Sequence, residues 1–237
     1  MRLTHEQLLR LRKRHFGYRV TLAYELALVM LLPIAQEVTL LLSLLLIGQA
    51  LVLMVFVSRF SALRSTRPFM YALGCSAIAL ELIWHAALVW SPQVGRALTL
   101  PHVAVWVLFL LVAVIRKVKS LIREPFVTTS VVLGAASGYL TVGIAGGVML
   151  SALWVFHPEA FIASALPTLT PDAAANVGVA PALMAASYGL LTTAGTDVLT
   201  PNNVAAQVLA NLITITGQLY VAILIGLILG RVHQRVN

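Results

Sequence analysis

Two groups of residues in this sequence carry functional groups in a pattern that could do chemistry. The first is the run Thr192-Thr193-Ala194-Gly195-Thr196-Asp197, followed by Thr200 and Pro201. It offers hydroxyls, backbone carbonyls, one glycine and one carboxylate, and it lies between two apolar stretches. Oxygens held in this way replace the water that a cation sheds, which is the chemistry of an ion filter. Irregular backbone at membrane depth survives only where protein covers it or where it lines an aqueous path. The second group is Glu81 with His85 one turn later on the same helical face, inside another apolar stretch. Ionisable side chains within a span are costly and are functional candidates by default. A carboxylate beside an imidazole is a candidate pH-sensitive pair; the simpler reading is a hydrogen-bonded structural pair, with Glu25 as a further partner.

The elements that must position these groups are apolar. The chain has 237 residues, of which 60% are apolar and 10% charged, against about 25% charged in a soluble domain. This composition predicts an all-α integral membrane protein. Six spans are expected, at 20–36, 38–58, 68–90, 98–115, 126–156 and 202–230, with a tight turn at Pro33 to Glu37 and another at Ser91-Pro92-Gln93. Residues 179–192 are apolar but shorter than the roughly 20 residues a span needs, which predicts a re-entrant helix leading into the loop. Residues 1–19 are basic and amphipathic, without the apolar core of a cleavable leader, and read as an interfacial helix on the cytoplasmic leaflet. Residues 116–125 read as a basic linker, 157–178 as an extracytoplasmic loop, and 232–237 as a tail. Cys75 is the only cysteine, so no intrachain disulfide exists.

Charge sets the orientation. With both termini cytoplasmic, all of the 16 Lys and Arg except Arg96 fall on the inside, as the positive-inside rule requires. The formal net charge of +8 is therefore read as topology, and no nucleic acid is expected. The localisation expected is a cell membrane, multi-pass, of the bacterial inner-membrane kind.

The segment Ser187-Tyr188-Gly189-Leu190-Leu191-Thr192-Thr193-Ala194-Gly195-Thr196-Asp197, ending at Pro201, resembles the pore segment of bacterial potassium channels, in which a pore helix leads into T-T-V-G-Y-G-D and a proline. Gly217-Gln218-Leu219-Tyr220-Val221-Ala222 resembles the inner-helix segment G-Q-L-Y-x-A of two-helix channel domains, and Tyr139-Leu140 fits their outer helix. The resemblance covers about 126–231. It implies a tetrameric channel architecture: a pore domain at 126–231 after a four-helix domain at 20–115, four copies closing one pore, and a filter of Thr193, Ala194, Gly195, Thr196 and Asp197 supported by Thr192. It also implies a hinge glycine at Gly217. The permeant species implied are monovalent cations, K+ and Na+; no other cofactor and no metal site is expected, and the partners are the chain itself as a homotetramer and membrane lipids.

The sequence departs from that family at the filter. Gly195 keeps one of the two glycines that let the backbone alternate in handedness. Asp197 stands at the other, a residue that tolerates left-handed backbone better than most, and Thr196 replaces the bracing aromatic. The expected function is a weakly selective cation channel. The 98–115 stretch carries no arginine ladder, so strong voltage gating is not expected. The alternative is a non-conducting channel-like membrane protein with a regulatory or assembly role. A transporter built on Glu81 and His85 has less support, because no internal repeat is present. No nucleophile–base spacing supports an enzyme. Trp84, Trp90, Trp106 and Trp154 read as apolar body and belt residues, and His102 as interfacial.

Overall fold

The structure, a computed structural model, describes residues 5–38, 40–57, 67–124, 128–166, 175–200 and 202–236. The chain forms α1 (His5–Glu37), α2 (Leu41–Val55), α3 (Arg67–Trp90), α4 (Pro92–Ile122), α5 (Thr129–Phe156), α6 (Ala175–Leu191) and α7 (Val204–Val236). Short 3-10 turns occupy Pro158–Ala160 and Ala163–Ala165. Among the described residues there are 5 helices long and apolar enough to cross a membrane, and the protein is an all-helical membrane protein. Of the segment expected at 38–58, Leu41–Val55 form α2, 15 residues, Phe56 and Val57 continue it as a wider helical turn, and residue 58 lies outside the described residues.

Several boundaries differ from the expectation: α6 begins at Ala175, inside the expected 157–178 loop, and α7 continues to Val236 through the expected tail at 232–237. Residues 5–19 are not a separate surface helix but the first half of α1, and α1 runs through Pro33 to Glu37 without breaking there. Arg14, Tyr18 and Arg19 tie this half to the bundle. Arg14 pairs with Glu124 at 3.1 Å, the Tyr18 hydroxyl meets that of Ser120 at 2.8 Å, and Arg19 donates to Ser130 at 3.2 Å. The basic linker expected at 116–125 is helical through Ile122, because its residues are good helix formers and Lys117 finds acceptors inside the bundle. The turn expected over Ser91-Pro92-Gln93 narrows to Ser91, which alone is extended (φ −154°), since Pro92 already opens α4; proline is pre-organised for the first helical turn.

The central element is α5, which packs against α1, α4, α6 and α7. Its small residues make this possible. A Cβ added at Gly134 would lie 2.6 Å from the Tyr18 ring, and one added at Gly147 would lie 2.8 Å from the Met184 backbone. Gly138 and Gly143 lie under Tyr220 and Tyr188 in the same way. Such close approach is how membrane helices associate where no hydrophobic force separates protein from lipid. The tyrosine hydroxyls then donate to α5 carbonyls: Tyr220 to Ala135 at 2.8 Å and Tyr188 to Leu140 at 3.0 Å. One apolar core joins residues of α1–α4 to Val131, Ile144, Val148 and Met184, so the first four helices and the last three share an interior.

Candidate functional site

The loop at 192–198 begins where α6 ends. Thr192 N bonds Tyr188 O at 3.0 Å and Thr193 N bonds Leu190 O at 3.1 Å. The chain then reverses at Thr193, whose φ is +61°, and Gly195 (φ +85°) returns its N–H to Gly189 O at 3.1 Å. The Gly195 carbonyl lies where a side chain on Gly189 would stand. The outgoing strand is pinned at Leu199, which bridges to Phe161; Ile162 N bonds Val198 O at 2.8 Å and Thr200 N bonds Ala160 O at 2.9 Å.

Neighbouring helices hold the end of α6 as well. Tyr139 of α5 donates to Leu191 O at 2.8 Å, and Thr214 of α7 donates to Leu190 O at 3.1 Å. The last carbonyls of a helix lack intrahelical partners and carry its partial negative charge, so a cation near this loop is favoured by the helix behind it. Replacing Tyr139 by Phe leaves the Leu191 carbonyl without its side-chain donor. The expected cost is about 1 kcal/mol, read as a lower thermal midpoint in detergent with no change in helix content.

The structure thus brings Thr192, Thr193, Ala194, Gly195, Thr196 and Asp197 into one compact loop, with Thr196 half-buried and the others exposed on a single chain. Beside Gly195, the left-handed residue is Thr193, not the residue at the family's second glycine position, Asp197. The reason is the helix end: reversal directly after α6 puts the left-handed cap position on Thr193. A β-branched residue is strained there. The Thr193 hydroxyl donates to Thr192 O at 2.6 Å, and the Thr192 hydroxyl to Tyr188 O at 2.8 Å.

Gly217 lies where α7 crosses the end of α6. A Cβ there would meet Leu191 O at 2.7 Å, and α7 is continuous through it, so in this structure Gly217 is a packing contact. Along α7, Ala206, Ile213 and Tyr220 face the protein, while Val204, Val208, Leu212, Ile215 and Leu219 are exposed. After the C-terminal end of α5, Glu159 lies beside the outgoing segment, its carbonyl accepting from Thr200 at 3.2 Å. Its own backbone N–H and His157, at 2.9 Å, hold its carboxyl below the usual carboxylate range.

Glu81 is buried, and its nearest partner is not His85. His102 Nε2 lies 2.6 Å from Glu81 Oε2, Trp106 Nε1 donates to the same oxygen at 2.9 Å, and His85 Nε2 stands 3.5 Å from Oε1. His85 is hydrogen-bonded to Ser43. Trp84 stacks on His102 with ring centroids 4.9 Å apart and donates to Thr99 at 3.0 Å. His102, expected at the interface, and Trp84 and Trp106, expected to be apolar filler, are therefore parts of this cluster. Glu25 is not. It accepts from Lys117 at 2.7 Å, Thr141 at 2.7 Å and Gln49 at 2.9 Å, all on Oε1, while Lys117 also donates to Ser137 at 2.7 Å and Thr141 at 2.9 Å. Every member of this second cluster is buried. The sequence held one signal for it, hydroxyls at Ser137 and Thr141 one turn apart amid the small residues of α5. Compared with family models, with curated proteins and with solved structures, the chain has no match, and what its sites do is argued from their own geometry.

Proposed function

We propose that this chain is the subunit of a potassium-channel-like cation channel, a homotetramer in a cell membrane with both termini cytoplasmic. Its loop at 192–197 is the filter, α5 and α7 are the outer and inner helices, and α6 is the pore helix. Thr193 offers a hydroxyl and a carbonyl, the carbonyls of Ala194, Gly195 and Thr196 form the sites beyond it, and Asp197 attracts cations at the mouth. The observation that carries this reading is a β-branched residue held in left-handed backbone directly after a short apolar helix. Strain of this kind persists where the surroundings over-determine it, and it clusters at functional sites. Exposure of the loop and of one apolar face of α7 on a single chain fits surfaces that neighbouring copies would cover. Gly217, packed on Leu191, is placed to let a hinge in α7 act directly on the end of the pore helix.

Ion flux through purified protein in liposomes tests the assignment. Gly195→Ala meets no atom within 4 Å, so its effect is backbone alone, about 1–2 kcal/mol of left-handed strain, and flux falls. Thr193→Gly relieves strain and removes the hydroxyl: stability rises by up to about 1 kcal/mol while flux or ion preference changes. Unaltered flux and preference in both variants would show that the filter lies elsewhere. The second reading, a non-conducting relative that acts in assembly or regulation, is favoured by Asp197, which keeps an ordinary negative φ where the family has its second glycine. Tetramers that pass no cation under any ionic condition would establish it.

A further inference from the structure

Glu81, His102, Trp84, Ser43 and Thr99 line a partly open cavity of about 70 Å³. Its remaining walls come from α5 (Val148, Ser151, Trp154) and from the pore-helix candidate α6 (Ala180, Leu183, Met184). The cavity therefore lies where the first four helices meet the last three. No Lys or Arg is within ion-pairing distance of Glu81 among the described residues: its partners are two imidazoles, an indole N–H and, beyond His85, a serine hydroxyl. Glu81 therefore has no permanently charged partner among the described residues, and a buried carboxylate favours a cation beside it. The ring face of one tryptophan, Trp84, is stacked on His102, and a second tryptophan, Trp154, also lines the cavity.

A carboxylate, aromatic walls and a few hydroxyls around an otherwise apolar space are the elements that recognise an organic ammonium ion. Size narrows the class. An apolar cavity of about 150 Å³ accommodates benzene, so this one takes about three or four heavy atoms. We propose that this cavity is a binding site for a small primary alkylammonium ion, its nitrogen directed at Glu81 and its carbon chain lying against Trp154, Leu183 and Val148. The ligand would touch the short helix that ends in the 192–197 loop. The site requires only the cavity and its carboxylate, and it stands whether or not the protein conducts ions.

The test is a titration of the purified full chain in detergent with ethylammonium chloride, followed by tryptophan fluorescence and by thermal midpoint. A ligand of this size binds at best in about the millimolar range. Ethylammonium is expected to shift both signals saturably, whereas ethanol, with the same carbon chain and no charge, and tetraethylammonium, too large for the space, are not. Glu81→Gln should weaken ethylammonium at least about 10-fold, the worth of one charge-assisted hydrogen bond. Ala180→Leu, which leaves the Glu81 cluster intact and fills the cavity from α6, should abolish binding and decides the matter if the Glu81 variant fails to fold. Equal responses to ethylammonium and to sodium chloride would overturn the proposal. So would ethylammonium binding unchanged in Ala180→Leu, or a fluorescence change driven by pH alone with no response to the amine, which would make the cluster a proton site.

Discussion

Lys117→Met is expected to lower the stability of the folded protein by about 3–5 kcal/mol, the cost of removing one partner from a buried ion pair. Lys117 is 1% exposed and Glu25 is fully buried. The ammonium has three acceptors, Glu25, Ser137 and Thr141, and so satisfies all three of its donors. Methionine matches its length and none of its hydrogen bonds, and it leaves the Glu25 carboxyl without its ion-pair partner in an apolar interior. The same reasoning makes the double replacement informative. Lys117→Met with Glu25→Leu removes both charges, and such exchanges are often neutral or stabilising, so most of the lost stability should return. A double-mutant cycle on thermal unfolding in detergent measures the coupling. Additive losses would mean that the two side chains do not act as a pair. Because Lys117 belongs to α4, Glu25 to α1 and Thr141 to α5, the pair fastens the first and fourth helices to the central one.

Gly189→Ala is expected to abolish ion flux while leaving a folded, membrane-inserted protein. The added methyl would occupy the place of the Gly195 carbonyl, a backbone atom that cannot step aside as a flexible side chain does. The hydrogen bond from Gly195 N to Gly189 O, 3.1 Å long, would be stretched or lost, and with it the reversal that brings Thr193 and Gly195 together. Alanine is otherwise a better helix residue than glycine by about 1 kcal/mol, so the loss cannot be laid to helix propensity. Gly226→Ala is the control: nothing lies within 4 Å of its added methyl, and both flux and stability should be retained. Flux in Gly189→Ala equal to that of the unaltered chain would detach the loop from ion passage. Loss of both flux and folding would instead point to the helix crossing with α5.

Much of the architecture was legible because membranes impose coarse rules. Long apolar stretches become helices, since backbone polar groups in lipid must be satisfied internally. The runs at 68–90, 126–156 and 202–230 accordingly appear as α3, α5 and α7, within a few residues at each end that the structure describes. The small residues from Gly134 to Gly147 marked the helix that others would crowd. The place of the loop was legible too, from a short apolar run, a cluster of hydroxyls and Gly195. Its backbone was not. Which residue takes the left-handed cap depends on the residue at which α6 stops, and helix ends are poorly fixed by local sequence. Left-handed backbone accordingly falls on Thr193 and not on Asp197, which stands at the family's second glycine position.

The sequence by itself determined that this is a helical membrane protein, which stretches can span, where one helix falls short, and where oxygen-rich chain follows it. These follow from hydropathy and residue size, which act over a few turns of chain. Only the tertiary structure decided which charges meet. Counting Lys and Arg at helix ends places them in water, yet Lys117 turns inward to Glu25, 92 residues away in sequence, and Glu81 finds His102 on the next helix. A buried charge is stable only beside a specific partner at contact distance, and that distance is fixed by how helices pack, which no local pattern along the chain encodes.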